Sequence, residues 1–155
     1  MSTRVAALLG LALGMAAGSA SACTLILDPP RSGETMEQVA IRMERAQQRQ
    51  MGMQASHVFL GRVVGGGTGG YFEPVLAIKG GSPPRRVPAF SRAHCEPSEP
   101  AAGELRIVFS QRLGRADYPW RPWRWGDGVL LGSRRPAEVK DRDLAAALRR
   151  AVGNG

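Results

Sequence analysis

Residues that build catalytic and metal sites are scarce in this chain. Of its 155 residues only two are cysteines, Cys23 and Cys95, and only two are histidines, His57 and His94. No His-Glu zinc motif, phosphate-binding loop or nucleophile elbow occurs. Because His94 and Cys95 are neighbours, a strand would point their side chains to opposite faces. The sequence therefore predicts a protein that is not an enzyme, with no catalytic residue and no metal or other cofactor of its own.

Long apolar runs are also scarce, and the one that occurs is N-terminal. Residues 5–18 are apolar and uncharged, follow a single charge at Arg4, and precede the small-residue triplet Ala20-Ser21-Ala22. This order is that of a secretory signal peptide with its cleavage site. The run is about 14 residues long, whereas a membrane-spanning helix needs about 20. We therefore predict a signal peptide over residues 1–22 and a single domain over residues 23–155, in the periplasm or the medium.

The two cysteines allow two different fates for the start of the mature chain. An exported chain with two cysteines is expected to form a disulfide, which would stabilise a domain of this size by about 4 kcal/mol in the chain-entropy model. The triplet before Cys23 also partly matches a lipoprotein cleavage box, although leucine is more usual at the position of Ala20. Lipidation would anchor the protein at Cys23 and leave Cys95 unpaired. Both alternatives stay open.

Apolar side chains at helical spacing predict a first helix from Glu34 to Met51. Ser32 is its expected cap and Gly52 its expected stop. The methionines are expected to fill gaps in the core. The apolar face is expected to contain Met36, Val39, Ala40 and Met43.

A second helix is predicted from Asp141 to Val152 at the C-terminal end. Asp141 and Asp143 near its start suit the helix dipole, and we interpret them as a helix start rather than an acid/base pair. Its apolar stripe is expected to contain Leu144, Ala147, Leu148 and Ala151.

Between the helices, five short runs have the composition of strands. Pro74 lies inside the second run and cannot donate to a ladder, which indicates an edge or a bulge. In the fourth run, Leu105, Ile107 and Phe109 alternate with polar Arg106, although Val108 breaks the alternation. Five short strands separated by turns are typical of a small barrel or sandwich. The runs are His57–Val64, Tyr71–Lys79, Arg86–Phe90, Glu104–Ser110 and Gly128–Ser133.

Four stretches, in their order along the chain, resemble the netrin-like domain. This is the OB-fold type found in tissue inhibitors of metalloproteinases and in their bacterial relatives. The stretches are "CT" at Cys23-Thr24, "ASHVFLGRVV", "YFEPVLAIKGG" and "HCEPSEPAAGELRIVFS". The resemblance covers most of residues 23–132 and implies a mainly β fold, a five-stranded OB-like barrel with an N-terminal and a C-terminal helix. Leu25 and Glu96 stand where the inhibitors have a second cysteine and a glycine.

The resemblance also implies a TIMP-like function, inhibition of a zinc metalloprotease by a monomeric binding protein. By carry-over, the α-amine and carbonyl of Cys23 chelate the protease zinc, Thr24 enters the protease pocket, and Cys95 fixes Cys23 through a disulfide. An α-amine has a pKa of about 7.7 to 8.0, so a useful fraction is neutral and can bind a metal. The chelate would replace the water that a catalytic zinc normally holds. The simpler alternative is that the disulfide only fastens the N-terminus to the barrel.

The stretch "DYPWRPWRWGD" is the strongest compositional feature of this basic chain, whose net charge is +8. Such a mixture could bind an anionic envelope surface, with Trp at the interface and Arg on phosphates. Alternatively, the Trp side chains cover one end of the core and the Arg groups lie over them. Export argues against nucleic acid as a partner. The residues concerned are Trp120, Arg121, Trp123, Arg124 and Trp125.

Overall fold

The computed structural model of the chain describes residues 28–66, 69–89, 100–112 and 127–153. Within them, helix α1 is followed by strands β1 to β5 and by helix α2. The bounds are Met36–Gln54 (α1), His57–Val64 (β1), Tyr71–Lys79 (β2), Val87–Pro88 (β3), Leu105–Arg112 (β4), Gly128–Arg134 (β5) and Arg142–Gly153 (α2), with a short 3-10 helix at Pro136–Glu138. No helix in this part of the chain has both the length and the apolar character needed to cross a membrane.

The strands form one antiparallel sheet in the order β3-β2-β1-β4-β5. Its two edges meet where Asp127, just before β5, contacts Arg86, just before β3. The backbone N–H of Asp127 donates to the Arg86 carbonyl at 3.2 Å, and the Asp127 carboxylate accepts from the Arg86 N–H at 3.1 Å. The sheet is therefore a nearly closed OB-like barrel, and the mainly β fold predicted from the sequence is confirmed.

The first two strands have the predicted bounds, and the irregularity expected at Pro74 is a bulge. Gly61 pairs with Pro74, whereas the preceding Leu60 pairs with Leu76, so Val75 has no partner in β1. The bulge bends β2 at the residue that cannot donate to a ladder.

One apolar cluster fills the inside of the barrel. Because successive side chains of a strand point to opposite faces, each strand contributes alternate residues to it. The members are Phe59, Val63, Phe72, Val87, Ala89, Val108 and Leu130. These side chains come from all five strands or the residues beside them, so closing the barrel buries them together.

A second apolar cluster lies on the outer face of the sheet, under the two helices. Its buried members are Met51 and Ala55 at the end of α1 with Val58, Ile107 and Phe109 of β1 and β4. Leu144 and Leu148 of α2 pack against it, as the predicted stripe of α2 requires. Strand β4 is therefore covered on both sides.

This double coverage corrects the prediction for β4. Arg106, expected to alternate as a polar residue, is only 4% exposed. Its guanidinium reaches the mouth of the barrel, where Nε donates to Glu104 at 3.0 Å. The alternation of the sequence is lost because α1 and the barrel interior cover opposite faces of the same strand.

The bounds of α1 also differ from the prediction. Thr35, not Ser32, is the cap: its hydroxyl accepts from the N–H of Gln38 at 3.3 Å, and the Gln38 side chain accepts from the N–H of Thr35 at 2.8 Å. This reciprocal pair is a capping box. The helix runs through Gly52 to Gln54. The side chain of Lys79 donates to the carbonyls of Gly52 and Ala55, which satisfies the helix end.

The prediction that the methionines fill the core is confirmed for Met51 and wrong for two others. Met51 is 7% exposed in the outer cluster, whereas Met36 and Met53 are 53% and 71% exposed. Asp141 lies just before α2 and caps it, because its carboxylate accepts from the N–H of Leu144 at 2.9 Å. The interpretation of Asp141 as a helix start is confirmed.

Candidate functional site

All residues of the two predicted sites lie outside the described part of the chain. They are Cys23, Thr24 and Cys95 of the N-terminal site and Trp120, Arg121, Trp123, Arg124 and Trp125 of the basic aromatic stretch. The disulfide, the zinc chelate and the surface contact therefore stay predictions. The structure does describe the residues that flank these segments, and they occupy distinct places on the barrel.

The segment that follows the predicted N-terminal site is fastened to α1. Asp28 accepts from Arg42 Nη1 at 3.1 Å, and its backbone N–H lies 3.2 Å from the sulfur of Met43. Three residues later a turn closes on itself, because Glu34 donates its N–H to the Arg31 carbonyl at 2.9 Å and accepts from the Arg31 N–H at 2.9 Å. The chain therefore reaches α1 along a defined path.

Arg42 is the centre of this attachment. Its Nε and Nη2 donate to the two carboxylate oxygens of Glu34 at 3.0 and 3.2 Å, which is a bidentate pair. The hydrogen bond from Arg42 is the main cause that holds the pKa of Glu34 below its ordinary value. With Asp28 on Nη1, each of the three nitrogens of the Arg42 guanidinium donates to a carboxylate.

A groove runs between the turn at residues 31–34 and one face of α1. Its volume is about 770 Å³, and it is open to solvent. Four arginines and a single carboxylate line it, together with two apolar side chains, half-buried Ile41 and exposed Ala46. The charged lining residues are Arg31, Glu34, Arg42, Arg45 and Arg49. The helical spacing of Arg42, Arg45 and Arg49 is visible in the sequence, but the groove is not, because its second wall comes from the turn.

A second charged cluster lies at the end of the barrel where the segment 90–99 leaves and returns. Ala89 donates its N–H to the Gly70 carbonyl at 2.9 Å, and Ala101 donates its N–H to Glu104 at 3.0 Å. Glu104 also accepts from Arg106 and Arg135, each at 3.0 Å. Burial alone would raise the pKa of Glu104, but these hydrogen bonds outweigh it and hold the pKa below its ordinary value.

The basic aromatic stretch leaves and re-enters the barrel at Arg112 and Asp127. Arg112 donates its N–H to the Ser56 hydroxyl at 2.9 Å and its side chain to the Ser82 carbonyl at 3.1 Å. His57 lies beside them, with Nδ1 2.9 Å from the same Ser56 hydroxyl. Burial lowers the pKa of His57, the charge of Arg112 lowers it further, and Asp127 opposes both.

Within the part of the chain that the structure describes, no three His, Cys, Asp or Glu side chains come together in a metal-binding arrangement. Ser56 and His57 are in contact, but the hydroxyl also accepts a backbone N–H, as a structural serine does.

Comparisons with known proteins identified no relatives of this chain. No protein-family model, no curated protein and no solved structure matches it.

Proposed function

We propose that this protein is an exported, non-enzymatic binding protein of the cell envelope or the medium, and that it inhibits a zinc metalloprotease through the amine and carbonyl of Cys23. The observation that carries this proposal is the fold. An OB-like barrel preceded by one helix and followed by another is what the netrin-like resemblance implies. Function does not follow from fold alone, so the argument also depends on the start of the mature chain.

The chemistry needs an unmodified α-amine at Cys23 and a fixed position for it. Cleavage after Ala22 would provide the amine, and its lone pair and the Cys23 carbonyl oxygen could bind one zinc as a five-membered chelate. Thr24 would then enter the pocket beside the catalytic zinc. A bond from Cys23 to Cys95 would hold this arrangement before binding, which reduces the ordering cost of the complex.

The flanking residues support such a bond by their placement. Arg134 at the end of β5 bonds Glu44 of α1 at 2.5 Å, and the next residue, Arg135, bonds Glu104 at 3.0 Å. The middle of α1, to which Asp28 is fastened through Arg42, therefore lies at the barrel end that carries residues 100–104. Cys23 and Cys95 each lie five residues before a described flank, and five extended residues span about 17 Å.

The test begins with the intact mass of the protein from its native host, before and after reduction. A chain starting at Cys23 that gains two hydrogen atoms on reduction supports the amine and the disulfide. An acylated chain contradicts the inhibitor proposal and favours the alternative of a lipoprotein anchored at Cys23.

Inhibition is then measured with a panel of zinc metalloproteases and a fluorogenic peptide. The protein starting at Cys23 should inhibit at least one protease, and one alanine added before Cys23 should abolish inhibition because it removes the amine from the chelate. One alanine added after Gly155 is the matched control and should change nothing. Equal inhibition by the two extended proteins would contradict the mechanism.

A second candidate function is a module that binds anionic surfaces through residues 118–125. The observation that favours it is topological, because the stretch is the connection between β4 and β5, one of the loops by which OB-folds bind ligands. Its flank Arg112 adds to the basic character, as do exposed Arg85 and Arg86 on the approach to β3. Arg86 lies over the ring of Tyr71, 4.7 Å from its centroid.

This second function predicts salt-sensitive binding to vesicles that contain phosphatidylglycerol. Changing Trp120, Trp123 and Trp125 together to alanine should remove it, because the indole rings supply the interfacial contact. Vesicle binding that is unchanged in the triple variant would contradict this function.

A further inference from the structure

Two arginines of the groove beside α1 hold their positions with one nitrogen and leave the others available. Arg45 donates from Nε to the Lys140 carbonyl at 3.1 Å, and Arg49 donates from Nε to the Asp141 carboxylate at 3.4 Å. Within the described part of the chain, the guanidinium groups of Arg45 and Arg49 make no other hydrogen bonds. Both side chains are therefore oriented by the segment before α2 while their terminal Nη groups remain unbonded.

The spacing of these two arginines suits a shared ligand. Residues four apart on a helix have their β-carbons about 5–6 Å from each other on one face. The side chain of Arg49 is 66% exposed despite its ion pair. Arg31 stands on the opposite wall of the groove, in the turn that Glu34 fastens to Arg42. Three cationic groups thus line a groove whose one lining carboxylate, Glu34, is already bonded to Arg42. Asp141 neutralises part of the charge of Arg49 from the side of α2.

The groove itself indicates which anion it would take. Arg42 binds Glu34 with two parallel hydrogen bonds, so the groove already contains one arginine that binds a carboxylate. The apolar part of the lining, half-buried Ile41 and exposed Ala46, would pack against aliphatic side chains. Carboxylates combined with aliphatic groups are the chemistry of an acidic peptide segment.

The chain that enters the groove from the N-terminal side cannot supply this anion. Residues 1–27 contain no Asp or Glu, and Asp28 is the first acidic residue of the protein. Its carboxylate is bonded to Arg42.

We infer that the groove between residues 31–34 and α1 is a docking site for an acidic, partly aliphatic peptide segment of a protein partner. Arg45 and Arg49 bind its carboxylates, and Arg31 binds from the other wall. The site goes beyond the proposed inhibition and does not depend on Cys23. The protein with one alanine before Cys23 should therefore bind the peptide normally even where it has lost inhibition.

The test uses the full chain, purified in the form in which its host leaves it. A labelled peptide of alternating glutamate and valine is titrated into it at low salt, with the same peptide carrying glutamine for glutamate as the comparison. The acidic peptide should bind, weakening as salt is added, and the glutamine peptide should not. Equal binding of the two peptides, or no binding of either, would overturn the inference.

Two double variants locate the site. Arg45→Gln with Arg49→Gln should weaken binding about tenfold or more, because two charge-assisted contacts are lost. Arg149→Gln with Arg150→Gln removes the same charge from exposed positions of α2 and should leave the affinity within about twofold. The same loss in both variants would mean that only net charge matters, which would overturn the docking site.

A third variant keeps the test valid if the glutamine pair impairs folding. Arg45→Lys with Arg49→Lys retains the charge but cannot form bidentate pairs, and it should bind with intermediate affinity. If this variant binds the peptide as tightly as the unchanged protein does, the guanidinium groups of Arg45 and Arg49 do not bind carboxylates in bidentate pairs. Two further results would assign the groove to another occupant: displacement by inorganic phosphate alone, or equal capture by phosphatidylglycerol vesicles.

Discussion

The inside of the barrel and the junction between α1 and the barrel are both buried, but different interactions hold them together. Inside, apolar side chains such as Phe59, Phe72 and Val108 fill the space without needing a particular orientation. At the junction, Gln48 and Lys79 make directed bonds from side chain to backbone. Stability inside the barrel therefore depends on apolar packing, whereas the junction adds a small number of directed hydrogen bonds to the apolar packing of Met51 and Ala55.

The first prediction compares the two regions by replacing glycines with alanine, which adds one methyl group. It should give the largest change in the free energy of unfolding. Gly80 has a φ of +89°, and a β-carbon there would overlap the Ser56 carbonyl oxygen of the junction. Gly80→Ala should therefore lower the free energy of unfolding by more than about 4 kcal/mol or prevent folding. Gly81 has a φ of +70° with open space around it, so Gly81→Ala should cost only about 1–2 kcal/mol.

Gly61 gives the corresponding change inside the barrel. A β-carbon there would meet Phe59 and Val108 side-chain atoms at 3.0 and 3.1 Å, and side chains can shift where backbone cannot. Gly61→Ala should cost about 1–3 kcal/mol. Urea denaturation of the three variants measures the order. A Gly80→Ala protein no less stable than Gly81→Ala would contradict the difference between the regions.

The second prediction compares two substitutions that nearly conserve volume. Gln48 is 1% exposed, accepts from the N–H groups of Lys140 and Asp141 at 2.8 and 3.0 Å, and donates to the Glu138 carbonyl at 2.9 Å. Gln48→Met leaves these groups unsatisfied and should cost about 2–4 kcal/mol. Leu130→Met inside the barrel should cost less than about 1.5 kcal/mol.

An exposed position of the same helix is the control for this comparison. Gln50→Met should change the unfolding free energy by less than about 0.5 kcal/mol. If Gln48→Met and Leu130→Met destabilise equally in denaturant titrations, directed bonds are not what distinguishes the junction.

The same contrast explains how much of the molecule could be predicted from the sequence. The bounds of β1 and β2 follow from the composition of two short runs, and the bulge follows from Pro74 alone. These are local signals. The cap of α1 was predicted wrongly although its signal is also local, since Thr35 and Gln38 have the spacing of a capping box. The end of α1 was predicted wrongly because it is satisfied by Lys79, 27 residues beyond Gly52.

The candidate groove was missed for the same reason. Its arginines are visible in the sequence at helical spacing, but the wall opposite them depends on the pairs of Arg42 with Glu34 and Asp28. Contacts between distant residues leave no periodic signal. The N-terminal site was predicted from a local signal, a cysteine after a cleavage triplet. Its test is the intact mass of the protein before and after reduction.

The third prediction concerns the lysine that ends α1. Lys79 Nζ donates to the carbonyls of Gly52 at 2.6 Å and Ala55 at 3.0 Å, which are unpaired groups at the negative end of the helix. Lys79→Met should therefore cost about 1 kcal/mol. Lys140→Met is the control, because only backbone atoms of Lys140 take part in described hydrogen bonds. Equal midpoints of thermal unfolding for the two variants would show that Lys79 does not stabilise the helix end.

The smallest effect should be a pH dependence confined to the junction. The pKa of His57 is lowered in the folded protein, by burial and then by Arg112, so the fold favours the neutral imidazole. The associated stability is complete above the unfolded pKa of about 6.5 and is lost as the pH falls through the lower pKa of the folded state. Between about pH 7 and about pH 5.5, the loss should be below about 1 kcal/mol.

His57→Asn should remove this dependence, whereas His94→Asn should keep it. The carboxylates of Glu34, Glu44 and Glu104 do not contribute in this window, because their pKa values lie below the ordinary value of 4.5 and they remain ionised. Urea titrations of the three proteins at both pH values measure the difference. No histidine lies in the apolar cluster inside the barrel. If the pH dependence persists in His57→Asn, the protons bind elsewhere than at the junction. The contrast between the two regions would then not extend to their response to pH.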